Sequence, residues 1–164
     1  MSYEINITES TVEIFDGRSF YGSFYSTQDQ ANLAAINKMT LNVTDIASGV
    51  SIVSASRITV SQAGIYNIQF SAQFDKTDSG DDLVDIWLCK NGQPVANTNT
   101  EITLVGNNGK HVAAWNFLVA ASASDYFELC WYSLDAKVFL NYVAAQSNPT
   151  RPAIPSLILT INQI

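Results

Sequence analysis

The stretch Tyr66-Asn-Ile-Gln-Phe-Ser-Ala-Gln-Phe74 decides the fold. Tyr66, Ile68, Phe70, Ala72 and Phe74 alternate with Asn67, Gln69, Ser71 and Gln73. Successive side chains of a β-strand point to opposite faces, so this run reads as a strand with one apolar face and one wet face. The same period continues downstream. Asp82 to Lys90 sets Val84, Ile86 and Leu88 against Asp85, Trp87 and Cys89, with large groups on both faces. Val112 to Val119 turns Ala113, Trp115, Phe117 and Val119 inward. Tyr126 to Tyr132 sets Phe127, Leu129 and Trp131 against Tyr126, Glu128, Cys130 and Tyr132. Val138, Leu140 and Tyr142 form another set, and Leu157, Leu159 and Ile161 the last, with Ile158 on the opposite face.

Turn residues punctuate these runs: Asp16-Gly17, Ala63-Gly64, Ser79-Gly80, Asn91-Gly92, Asn107-Asn108-Gly109 and Asn148-Pro149. Gly and Asn tolerate the positive φ of tight hairpins, and Asn91-Gly92 between Leu88 and Val95 is the strongest hairpin signal. Leu33 and Ile36, within Asp29 to Met39, are the one helix-like pair, but Leu41 and Val43 continue at strand spacing. Short strands separated by Gly and Asn turns predict an all-β antiparallel sandwich or jelly roll.

The chain has 164 residues, enough for one domain with a sizeable core. Charged residues are only 14%, and Ser, Thr, Asn and Gln supply about a third of the chain. The net charge of −7 argues against binding nucleic acid or anionic membrane, which requires a basic face. No basic segment leads into an apolar run at the N-terminus, and no apolar stretch reaches membrane-helix length. The expectation is a soluble product of the cytosol. There Cys89 and Cys130 would be buried free thiols, with a disulfide or a reactive thiol as the alternative. Residues 1–19 read as an arm or edge strand, with Tyr3, Ile5, Ile7, Val12, Ile14 and Phe15 as its apolar residues. An arm of this kind can dock on a neighbour by strand addition.

Three motifs carry a resemblance. Arg57-Ile-Thr-Val-Ser-Gln-Ala-Gly-Ile-Tyr-Asn-Ile-Gln-Phe70 resembles the signature segment of C1q/TNF-like jelly rolls, with Gly64, Ile65, Tyr66 and Phe70 at the marked positions. The strand ending in Lys90, Asn91 and Gly92 is similar to that family's Lys-Asn-Gly strand. Ser122-Ala-Ser-Asp-Tyr-Phe-Glu-Leu129 resembles its penultimate region, with Asp125 kept and Ser124 replacing the usual Gly. The resemblance spans residues 20–164. It implies a C1q/TNF-like jelly roll that forms homotrimers.

The apolar residues on second strand faces point the same way. Trp87, Cys130, Tyr132, Phe139, Val143 and Ile158 exceed what one inner layer uses. A sister subunit would cover them, and the alternative is cover by loops of the same subunit. The segment Phe20-Tyr-Gly-Ser-Phe-Tyr-Ser26 and the Asn/Ser/Thr-rich strands look like the C1q-like domains of bacteriophage virion proteins. The resemblance thus implies a non-enzymatic virion protein: a capsid decoration (cement) trimer clamping major capsid subunits, with the arm as its anchor. The alternative is a tail-fibre tip recognising a host glycan or protein, and a third reading is a C1q-like bacterial protein.

Asp75, Asp78, Asp81, Asp82 and Asp85 surround Ser79-Gly80. Calcium takes several carboxylate oxygens, and some members of the resembled family bind it, but the spacing is not that of an EF-hand loop. A solvated acidic turn is the expectation, with no cofactor. No GxSxG elbow, phosphate-binding glycine loop or HExxH pair occurs, and His111, the one His, reads as a loop residue. Glu101, Glu128 and Asp135 are the carboxylates whose convergence would suit glycoside hydrolysis. Trp115 and Trp131 fall on core faces, which leaves Trp87 as the tryptophan for a surface or interface.

Overall fold

The computed structural model describes residues 19–33 and 35–164. The arm residues Tyr3, Ile5, Ile7, Val12, Ile14 and Phe15 lie outside the described residues. The strands, in chain order, are β1 (Tyr21–Ser26), β2 (Gln30–Ala31), β3 (Asn37–Lys38), β4 (Val43–Ser48), β5 (Val50–Val53) and β6 (Arg57–Val60). Then come β7 (Gly64–Lys76), β8 (Asp82–Lys90), β9 (Gln93–Pro94), β10 (Thr100–Leu104), β11 (Lys110–Ala121) and β12 (Tyr126–Tyr132). The chain ends with β13 (Val138–Leu140), β14 (Gln146–Ser147), β15 (Thr150–Arg151) and β16 (Leu157–Gln163). No helix occurs among the described residues. Leu33 and Ile36, the helix-like pair, sit exposed between the short strands β2 and β3.

Two seven-stranded antiparallel sheets form a jelly-roll-like β-sandwich. The first runs β11-β7-β16-β1-β4, with β13 extending the lane of β16 beside β7 and β2 pairing with the far side of β13. The second runs β10-β8-β12-β6-β5, with β9 beside β8 and β3 beside β12. The chain crosses between the sheets from β2 to β3, β3 to β4, β4 to β5, β6 to β7, β7 to β8, β10 to β11, β11 to β12 and β12 to β13. Strands far apart in sequence therefore become neighbours, as β1 and β16 do.

The alternation seen in the sequence fills the interior. Tyr66, Ile68, Phe70, Ala72 and Phe74 of β7 face inward with Leu157, Leu159 and Ile161 of β16 and Phe24 of β1. Val84, Ile86 and Leu88 of β8 face them with Phe127, Leu129 and Trp131 of β12. Phe74 and Trp131 meet edge-to-face between the sheets at 5.4 Å, and Phe70 packs on Trp115 at 4.8 Å. Each such buried side chain contributes about 1.5–3 kcal/mol relative to exposure. Gly22 is required beside Phe24, because a Cβ there would stand 2.3 Å from the Phe24 ring.

The two faces of β7 make opposite predictions. Phe74→Ala is expected to cost about 3–5 kcal/mol, and Gln69→Ala, which opens no cavity in the subunit core, well below that. Urea denaturation of the two variants checks this.

Candidate functional site

The motif residues come together at one end of the sandwich. Asn91 and Gly92 form the two-residue turn between β8 and β9, at φ 51° and 79°. Asp125 lies in the turn between β11 and β12. Lys90 Nζ meets Asp125 Oδ2 at 2.8 Å and donates to the Ala120 carbonyl at 2.9 Å. Asn91 Nδ2 donates to Asp125 Oδ1 at 2.7 Å, and the Ser122 N–H donates to Asp125 Oδ2 at 2.7 Å. The Tyr126 N–H donates to Asn91 Oδ1, and the Asn91 N–H to the Tyr126 carbonyl. Two turns about 35 residues apart are thus clasped through one carboxylate. The hydrogen bonds from Lys90 and Asn91, then that from the Ser122 backbone, pull the Asp125 carboxyl down from 3.8 to about 2.

The acidic turn is built around a lysine. Lys76 is buried, and its Nζ bonds Asp82 Oδ2 at 2.6 Å and the Gly80 carbonyl, with Asp78 Oδ1 at 3.9 Å. Asp78, Asp82 and Asp135 bring their oxygens within 4.8 Å of one another. Burial, the hydrogen bond to Asp135 and repulsion from Asp135 and Asp82 push the Asp78 carboxyl up, against the pull of Lys76. Asp75 is buried and holds Lys110 and Asn141, and Asp81 accepts the Gly106 N–H at 2.8 Å. Of the four aspartates singled out for calcium, Asp75 and Asp81 are therefore held by separate partners, while Asp78 and Asp82 share Lys76. A divalent ion near Asp82 would have to displace the Lys76 ammonium, because a buried lysine beside carboxylates already supplies the compensating charge.

The expectation of free thiols is corrected. Cys89 and Cys130 form a disulfide across the neighbouring strands β8 and β12, with Cα atoms 6.5 Å apart. Cys89 stands opposite Glu128 and Cys130 opposite Trp87, so the two sulfurs meet on a diagonal of the outer face. Cys130, expected at a trimer interface, is buried inside the subunit instead. The other residues of that expected set divide. Trp87 and Tyr132 lie half-buried on the outer face of the second sheet. Ile158 and Phe139 lie on the outer side of the first sheet, and Val143 pairs with Ile154 beyond β13. The set does not form one surface.

The outer face of the first sheet has a different character. Across β1, β16, β7 and β11 its rows read Tyr25, Ile158, Ser71, Ala114, then Ser23, Thr160, Gln69, Asn116, then Tyr21, Asn162, Asn67, Leu118. None is charged. Asn116 donates to Asn67 across the face at 3.1 Å.

The outer face of the second sheet carries a cleft of about 760 Å³. Asp85 and Trp87 of β8 and Tyr132 of β12 line it from the sheet, and Ile36 from the segment before β3. Pro94 of β9 lines it too, with Val95, Asn97 and Asn99 from the chain between β9 and β10. Sequence periodicity singled out Trp87 and Tyr132, but the loop residues have no period to mark them. The carboxylates weighed for hydrolysis do not converge. Glu128 is buried and bonds Lys38 and Ser56. Glu101 stands opposite Asp85, about 13 Å along β8 from Cys89, the partner of Glu128, and Asp135 beside Asp82 about 23 Å along it. His111 is exposed at the start of β11.

Comparison with known protein-family models and with curated proteins found no match.

The clasp has a pH signature. The lowered Asp125 pKa contributes stability above pH 4 that is lost as pH falls through about 2. Asp125→Asn is expected to lower stability at neutral pH by about 1–2 kcal/mol, with the gap from the parent protein closing as pH falls towards 2. Urea midpoints across that range check it.

Proposed function

We propose that this chain is a non-enzymatic structural protein of a bacteriophage virion, a C1q/TNF-like homotrimer that decorates the capsid and clamps neighbouring major capsid subunits. The observation that carries the reading is the run of three uncharged rows on the outer face of the first sheet, from Tyr25–Ala114 to Tyr21–Leu118, which stops short of the Asp75–Lys110 pair at one end. Copies of a chain with net charge −7 repel one another through charged surfaces, and depletion of charge is the compositional mark of an interface core. An obligate assembly buries about 2,000 Å² or more, which calls for a face spanning several strands. Ile158, Tyr21, Tyr25 and Leu118 supply its apolar anchors, and the Asn and Gln side chains can pair with those of a neighbour. Phe139 lies beyond β16 beside the Asp75–Lys110 pair, at the charged edge of this face. The resemblance adds support, because Lys90, Asn91 and Asp125, quoted from separate motifs, act as one unit in space.

The cleft beside Trp87 and Tyr132 favours a second reading, a tail-fibre tip that recognises the host surface. An aromatic floor beside amides and a carboxylate suits a ligand rather than a flat capsid contact.

Antibody against the protein, applied to phage particles from the host that carries the gene, separates the two. Labelled heads are expected. Labelled tail tips would move the protein to the second reading, and unlabelled particles would overturn both. Deleting residues 2–15 is expected to remove head labelling without changing the number of copies in the assembly.

A further inference from the structure

We propose that the cleft lined by Trp87 and Tyr132 binds a neutral saccharide, with a pyranose ring stacked on Trp87 and its hydroxyls held by Asp85, Asn97 and Asn99. The inference goes beyond assembly and holds whether the protein sits on a head or at a fibre tip.

The chemistry of the lining selects the ligand. A pyranose has a face of C–H groups and a rim of hydroxyls that both donate and accept. It needs an aromatic surface beside planar polar groups, and the cleft supplies both. Trp87 and Tyr132 give the apolar area. A carboxylate accepts through two oxygens, and an amide donates and accepts side by side. Asn99 Nδ2 donates to Asp85 Oδ1 at 2.9 Å, which fixes the carboxylate. Among the described residues, Asp85 Oδ2, the Asn97 amide and the Trp87 indole N–H have no protein partner, so their hydrogen-bonding capacity is open to a ligand. The volume of about 760 Å³ is that of a small-ligand site.

The cleft is also held in shape. The disulfide ties β8 to β12 directly opposite Trp87. The wall is pinned to β8 by the Val95 N–H on the Leu88 carbonyl at 2.9 Å and the Leu88 N–H on Thr98 Oγ1 at 3.1 Å. Thr98 Oγ1 in turn donates to the Val95 carbonyl at 2.7 Å, and Asn97 is held at φ 63°. A preformed wall spares the ligand the ordering cost that weakens loop-built sites.

Other occupants fit less well. Nucleotides and other phosphates would meet Asp85 and no lining Lys or Arg. A wholly apolar segment would strip water from Asp85 and two amides without replacing their hydrogen bonds.

The test uses the full chain with fluorine-labelled tryptophan, read by fluorine NMR. Trp87→Phe assigns the Trp87 signal. The probes are methyl α-glucopyranoside, methyl α-mannopyranoside, methyl α-galactopyranoside and N-acetylglucosamine, each also as its trisaccharide. At least one is expected to move the Trp87 signal saturably and leave Trp115 and Trp131 in place. Asn97→Ala and Asp85→Asn, outside the core, are each expected to weaken that binding by about tenfold, and Trp87→Ala by more. If no probe moves the Trp87 signal, the proposal fails. It fails equally if the apolar probe toluene gives the same response and Asp85→Asn leaves the response to sugars unchanged, which would mark an apolar groove only. Neither result bears on head labelling, so the assembly reading stands or falls separately.

Discussion

The structure depends on β7 having neighbours on both sides along its length. β11 pairs with it from Gly64 to Asp75, and β16 and β13 share the other side from Tyr66 to Lys76. With both edges occupied, its side chains have only two places to go: into the core or onto the outer face. Phe74 must then meet Trp131 of the opposing sheet, and Phe70 must meet Trp115. A one-residue slip of the register would carry Asn67, Gln69 and Gln73 into the core and five apolar groups into water. The inner layer and the uncharged rows of the outer layer are two consequences of one pairing scheme.

Ionic groups fix what the hydrophobic core leaves undetermined, the ends of the strands. Asp125 clasps the turn after β8 to the turn after β11, and Lys76 gathers the acidic turn between β7 and β8. Glu128 is held by Lys38 and Ser56, from strands or turns far away in sequence. These contacts need specific partners in specific directions, unlike the burial of a Leu or Phe. They leave the two outer faces with separate characters: a neutral sheet suited to a sister copy, and a shaped cleft suited to a small polar ligand.

Much of this was legible in the residues. The alternation gave the bounds of β8 at Asp82 and Lys90 and of β12 at Tyr126 and Tyr132, and it placed Trp115 and Trp131 on inward faces. Asn91-Gly92 marked its hairpin because positive φ at both positions restricts the choice of residue. The disulfide was not legible, because 41 residues separate Cys89 from Cys130 and only the pairing of β8 with β12 brings them to one diagonal. Parity also says that a residue points outward but not on which sheet, so Trp87 and Ile158 read as one set and lie on opposite sides. Lys76 did carry a signal: it continues the inward parity of Phe70, Ala72 and Phe74, which marks a buried lysine beside acids. The cleft wall from Pro94 to Asn99 carries no periodicity to read.

The central claim is that the uncharged sheet face is covered by other copies of the chain. Light scattering on the purified protein measures this most directly. The account predicts the mass of three copies of a 17.9 kDa chain, falling to one copy when Ser71→Asp places a charge in the middle of that face. A parent protein that already runs as one 17.9 kDa copy would contradict it.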